Sequence, residues 1–177
     1  MVNSKANMLR PVFGLAGNFV LGDGLLTGVV SAAFGDGYGL AKIEGSLVVL
    51  GPQGRVSCEL PAPEGAALFA LAARSPEALA YFPQASQMVR LRGCTVAPEY
   101  FDPPPVWGEI LSIAMPQSGQ VAMVVKRDTT YWLLRAVLST GLILREVPLL
   151  AVAEPLYLSR DGTLVFARDG ELIVRAP

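Results

Sequence analysis

The chain contains no histidine. That absence removes Ser-His-Asp and Cys-His nucleophilic sites, His-Glu-x-x-His zinc sites and all imidazole acid–base work. Charge is scarce as well. Asp, Glu, Lys and Arg make up 16% of the 177 residues, and the net charge is −1. With a pI near 5.5, nothing electrostatic favours nucleic acid or an anionic membrane as a partner. Cysteine is limited to Cys58 and Cys94, with no Cys-x-x-Cys spacing, so no metal and no cofactor are expected. Both lie among apolar or small residues and read as buried free thiols acting as small hydrophobes. A disulfide needs Cα atoms within about 7 Å, which sequence does not show.

Two further features are missing. The chain is 52% hydrophobic with a mean hydropathy of +0.45, yet it has no run of the roughly 18 apolar residues that a membrane helix needs. The richest segment, Pro11 to Ala41, is interrupted by Asp23, Asp36 and repeated glycines. Helix periodicity is scarce too. Only Ala66 to Ala80 has helix-forming composition, and Ser75-Pro76 breaks it in the middle.

What remains is the pattern of an all-β protein. Apolar runs of four to eight residues alternate with Gly, Pro, Asp and Ser clusters. They group into four meanders, at about 28–60, 66–97, 110–147 and 154–175. In the second, the last strand is expected at Thr95–Ala97. The final stretch shows the turn chemistry best. Ser159-Arg-Asp161-Gly162 and Asp169-Gly170 separate the strands Pro155–Leu158, Thr163–Ala167 and Glu171–Arg175. Asp-Gly between apolar runs is a strong hairpin signal, because Asp bonds nearby amides and Gly accepts positive φ.

The first turn of each group recurs at nearly fixed spacing. Gly37, Glu77, Gly119 and Gly162 are 40, 42 and 43 residues apart. A period of about 40–45 residues with four short strands is the signature of propeller blades. Leu158-Ser-Arg-Asp-Gly-Thr-Leu-Val-Phe resembles the Ser-Pro-Asp-Gly-x-x-(Leu/Ile)-(Ala/Val)-Phe repeat of TolB-like and related tryptophan-aspartate-type β-propellers. Met115-Pro-Gln-Ser-Gly-Gln-Val-Ala-Met is a degenerate copy, and Ala73-Arg-Ser-Pro-Glu-Ala-Leu-Ala-Tyr-Phe is more degenerate and lacks the Asp-Gly. The resemblance implies a fold and no particular activity.

The first three groups hold four strands and the last holds three, while Pro11–Leu21 is apolar and unassigned. The expected architecture is therefore a single β-propeller-like domain of four four-stranded antiparallel blades. Pro11–Leu21 would complete the last blade and cover its edge. A closed ring predicts a monomer, and an open half-ring predicts a homodimer forming a larger propeller. A β-sandwich of irregular strands is the third architecture.

Chemistry is sparse. Carboxylate-only glycoside hydrolysis needs two carboxyls about 5 to 9.5 Å apart, and Asp36, Asp128 and Asp161 lie on or near turns. Turn hydrogen bonding accounts for all three more simply. Asp161 also departs from the Ser-x-Asp-x-Gly-x-x-Trp box of sialidase-like propellers in spacing and in lacking the Trp. Gly35-Asp-Gly-Tyr-Gly39 opens no helix and has no following Lys-Ser/Thr, so it reads as a hairpin rather than a phosphate loop. Tyr100, Phe101 and Trp107 cluster with Pro103–Pro105, either as an exposed patch for a partner or, preferred, as a linker capping the space between blades. Lys126, Arg127 and Arg135 read as a solvated face. Tyr131 and Trp132 point to opposite faces of one strand, so at most one is expected in a neighbouring blade's core.

The function expected is a non-catalytic binding or scaffold module, taking a protein or small ligand at the channel mouth. The alternative is a carboxylate-based carbohydrate-active enzyme. No catalytic or metal residue is assigned. Lys5 and Arg10 before Pro11–Leu21 faintly imitate a signal peptide, but Gly14, Gly17 and Asn18 argue against it. The expected location is cytoplasmic by default, or exported had a signal been removed.

Overall fold

A computed structural model describes residues 2–3, 7–10, 12–15, 18–21, 23–35, 37–73, 75–149, 153–168 and 171–175. Among them are strands and three short 3-10 turns, with no α-helix. The chain divides into two compact units, Met1–Ala67 with Phe82–Ala85, and Leu68–Tyr81 with Ser86–Pro177.

In the first unit, β1 (Val2–Asn3) pairs with β2 (Met8–Leu9), and β3 (Val12–Leu15) pairs with β4 (Asn18–Leu21). The first meander follows as β5 (Ser31–Phe34), β6 (Gly39–Ile43), β7 (Ser46–Leu50) and β8 (Val56–Pro61), paired in chain order. Ala41, Val48 and Leu50 share one face, which Leu9, Leu26 and Val29 of the N-terminal segment cover. Leu9 anchors that segment: its N–H donates to Leu26 O at 2.9 Å, and its carbonyl accepts from Leu25 N at 2.8 Å. The opposite face, with Leu40, Lys42, Leu47 and Val49, is buried too. Burial on both faces explains why Leu47–Leu50 reads as a continuous apolar run rather than an alternating one. Burial also pushes the Lys42 ammonium below the usual lysine pKa, against the opposing pull of Glu64 and Glu44. Its Nζ donates to Ile43 O.

The stretch from 11 to 21, expected as one strand, contains two. Val12–Leu15 and Asn18–Leu21 pair with each other, with Leu15 opposite Asn18. Only two residues separate the strands in sequence, and strands so close along the chain pair at little cost in chain entropy.

The second unit holds three sheets. The second sheet comprises β9 (Leu68–Leu71), β10 (Glu77–Phe82), β11 (Gln87–Arg92) and β12 (Glu99–Phe101). Its last strand lies beyond the expected Thr95–Ala97. Gly93, at φ +78°, ends β11, and Arg90 pairs with Glu99 across the ladder, 3.5 Å between Nη1 and Oε2. The third sheet comprises β13 (Glu109–Gln117), β14 (Gln120–Arg127), β15 (Thr130–Val137) and β16 (Ile143–Leu149), and the fourth β17 (Ala153–Leu158), β18 (Leu164–Arg168) and β19 (Glu171–Arg175). Three sheets are thus four-stranded meanders, and the fourth has three strands among the described residues. The Asp169-Gly170 turn lies outside them.

The third sheet is the centre of this unit. Val121, Met123 and Val125 face a core shared with Ala70, Leu79 and Met88 of the second sheet. Ala122 and Val124 face a second core with Leu158, Leu164 and Phe166 of the fourth. Tyr131 and Trp132 follow the same alternation, and both are used: Trp132 packs on the first of these cores and Tyr131 on the second. The expectation that at most one faces a neighbour fails because this sheet has neighbours on both faces.

Neither cysteine is a free thiol; both are disulfide-bonded. Cys58 is half-buried on β8 and Cys94 is exposed in the bend after β11, so neither serves as a buried hydrophobe.

Candidate functional site

The first turns of the three sheets in the second unit meet. In the β9–β10 turn, Ala72 N donates to Glu77 O at 3.0 Å. The Glu77 side chain then reaches the first turn of the next sheet. It accepts from Ser118 Oγ and, at 3.3 Å, from Gly119 N, both in the β13–β14 turn. Arg90 Nε completes the cluster at 2.6 Å. Gly119, at φ +77°, supplies the left-handed conformation that this tight turn requires. Burial raises the Glu77 pKa, but bonds from Ser118 and Arg90, the Arg90 charge and the Gly119 amide outweigh it, and the carboxyl lies below the usual value.

The β17–β18 turn adds the third part. Arg160 donates from Nε to Leu71 O at 3.2 Å and from Nη2 to Ala72 O at 2.6 Å, the last carbonyls of β9 and its turn. Beside it lies a cavity of about 440 Å³ lined by Ala73, Pro116, Ser159, Arg160, Asp161 and Thr163. Asp161 accepts from Ser159 Oγ and, at 2.9 Å, from Thr163 N. These bonds, the Ser159 hydroxyl first, hold its carboxyl below the usual aspartate value.

The carboxylates singled out in the sequence do not come together here. Asp128 sits at φ +53° in the β14–β15 turn, at the other end of the third sheet from Ser118-Gly119. Eight residues of β14 lie between the two turns, about 25 Å of strand. Asp36 lies outside the described residues. Between the paired strands β5 and β6, Gly35 N donates to Tyr38 O at 2.9 Å.

The aromatic-proline linker is mainly internal. Trp107 is fully buried in the core between the second and third sheets, with Phe101 packed against it. Its Nε1 donates to Gly141 O at 3.3 Å. Tyr100 is exposed and, with Arg90, Glu99, Asp102 and Thr140, lines a second cavity of about 350 Å³. Arg127 is not a solvated residue. Its Nε donates to Trp107 O at 3.4 Å, Nη1 pairs with Glu146, and the guanidinium lies 5.7 Å from the Trp132 ring centroid. Lys126 stands 5.9 Å over the Tyr131 ring.

Sequence reasoning located these turns but missed what Glu77 and Arg160 do. The available signal was that the most degenerate repeat has Glu77 where the other three have Gly37, Gly119 and Gly162. A carboxylate without a turn glycine after it is free to serve another turn.

No protein-family model and no curated protein matches the chain. Solved structures do. Hsv2 from Kluyveromyces marxianus is similar with a TM-score of 0.53 at 14% identity, over 89% of this chain and 49% of that one. Hsv2 from Kluyveromyces lactis gives 0.51 at 12% identity, over 89% and 51%. A Kluyveromyces lactis Hsv2 structure with complete loop 6CD gives 0.55 at 13%, over 95% and 54%. The chain spans about half the length of these structures. At such identities the likeness is one of fold, and the fold is that of a β-propeller.

Proposed function

We propose that the chain is a non-catalytic binding or scaffold module that receives its ligand or partner at the turn end of the blades in its second unit. The observation that carries this reading is the use of the polar side chains there. Asp161 serves its own turn, Glu77 serves the next sheet's turn, and Arg160 serves the carbonyls of Leu71 and Ala72. A general acid needs a carboxyl held protonated near the working pH. Asp161 and Glu77 are both shifted the other way. What results is a cavity with a fixed polar wall, within the size range of small-ligand sites. The Ser159–Gly162 turn at that wall also supports kinship of these blades with TolB-like repeats.

The test pairs two assays. Glycan and peptide arrays read with the labelled chain are expected to give saturable binding that Ala73→Trp, at the cavity rim, weakens by at least about tenfold. Chromogenic glycosides are expected to give no turnover. Hydrolysis that Asp161→Asn abolishes would overturn the reading in favour of a carboxylate enzyme.

A further inference from the structure

The fourth sheet differs from the other three. Among the described residues it has three strands, with β19 at its edge. One face is used: Leu158, Leu164, Phe166 and Ile173 pack in the core against the third sheet. The other is not. Tyr157, Val165 and Val174 form a row across the three strands, and Leu172 begins the next row. Tyr157 is 63%, Leu172 72% and Val174 64% exposed. An apolar edge strand of this kind is a template for pairing with another strand. The first and third sheets and the second have a fourth strand at the corresponding position, and β3 and β4 are paired with each other.

We propose that β19 is a self-pairing edge: β19 of a second copy of this chain adds antiparallel to it, so that each copy supplies a fourth strand to the other's fourth sheet. The register follows from five residues, Glu-Leu-Ile-Val-Arg. Centred on Ile173, position 171 lies opposite 175, position 172 opposite 174, and 173 opposite itself. An acidic position meets a basic one at both ends, and the two most exposed apolar positions meet each other. Opposite charges and apolar pairs directly across strands are the stabilising combinations. A twofold axis normal to the sheet relates the copies, so the contact is isologous and closes at two chains. A slip by one residue sets core-facing positions against solvent-facing ones, and a slip by two leaves an end charge without its opposite, so the register is specified. Ile173 remains on the face already in the core. The surface is separate from the turn cluster and does not depend on its role.

A five-residue ladder is smaller than a standard interface, so the dimer is weak, with a Kd on the order of 100 µM. Sedimentation velocity from about 5 to about 500 µM should show wild type passing from monomer toward dimer. Leu172→Lys with Val174→Lys, and separately Leu172→Glu with Val174→Glu, should each weaken self-association at least about tenfold, because like charges then face each other. An equimolar mixture of the two doubly substituted chains should recover the dimer. Both positions are exposed, so thermal melts should match wild type. Wild type that stays monomeric at about 500 µM overturns the proposal. So does a dimer that persists in either charged variant alone, or a mixture that fails to recombine.

Discussion

Glu77 accepts a hydrogen bond from the backbone N–H of Gly119 at 3.3 Å, and the two residues are 42 positions apart. That separation is one repeat of the turn spacing. The period is therefore a physical contact between equivalent turns of consecutive sheets as well as a count of strands. Arg160 extends the contact from the fourth sheet back to the second, through Leu71 and Ala72.

Glu77 is 3% exposed, so its removal is expected to be costly. Glu77→Ala strands the Ser118 hydroxyl and the Gly119 amide and leaves Arg90 with its longer contact to Glu99. Breaking a buried charged pair costs about 3–5 kcal/mol. Glu77→Gln keeps the shape and one acceptor, and should lose about 1–3 kcal/mol. Urea midpoints of the two variants measure the difference. Equal, negligible losses would show that the turns hold together without this carboxylate.

The same residue sets a pH dependence. Its folded pKa lies below the ordinary value of 4.5, so the folded state binds the proton less readily than the unfolded one. The stabilisation is present above pH 4.5 and is lost as pH falls through the folded pKa. Wild-type stability should fall on acidification in that window, and Glu77→Gln should fall less. Denaturant midpoints from neutral pH downward give the two slopes, and parallel slopes would assign the acid sensitivity to other carboxylates.

Arg160 should matter without touching any core. It satisfies two backbone carbonyls of the second sheet from a turn of the fourth. Hydrogen bonds to a charged group contribute about 1.5–3 kcal/mol each, discounted here because Arg160 is only half-buried. Arg160→Ala is expected to speed amide exchange in the β9–β10 and β17–β18 turns together. Faster exchange in the β17–β18 turn alone would mean the two are not coupled.

The strands and their turns were legible because turn chemistry is local. Gly119, Gly162 and Ser159–Thr163 do what their residue types allow, and 2-residue periodicity does the rest. Pro11–Leu21 was misread as one strand because its apolar content outweighed a two-residue interruption at Ala16-Gly17. The cysteines were misread because composition around a thiol says little about its exposure. Glu77 was marked only by standing where the other repeats have Gly, and Arg160 was not marked at all, since each acts on groups of another sheet.

The disulfide state gives a direct chemical prediction. Unfolded without reductant, the chain should take up no iodoacetamide, and after reduction it should take up two equivalents, since both cysteines are disulfide-bonded. Reduction should lower stability by about 2–5 kcal/mol. Two equivalents of uptake before reduction would contradict the structure.

Gly108 and Trp107 should fail together. Gly108 has φ +82° and ψ −164°, following the 3-10 turn that delivers Trp107 to the core. A Cβ there would lie 2.7 Å from Lys126 O and from Arg127 Cγ. The backbone conformation alone costs a residue with a side chain about 1–3 kcal/mol, and the carbonyl cannot move without disturbing β14. Relief by shifting the turn would withdraw Trp107 from Gly141 O and from its packing. Gly108→Ala should therefore red-shift the buried tryptophan emission as well as lower the melting temperature. Trp107→Phe should cost about 1 kcal/mol for the lost hydrogen bond, plus the indole packing. In the Trp107→Phe background, Gly108→Ala should cost less than it does alone, because the two share one packing arrangement. Strictly additive losses would mean that Gly108 is needed for its own turn and has no part in seating the tryptophan.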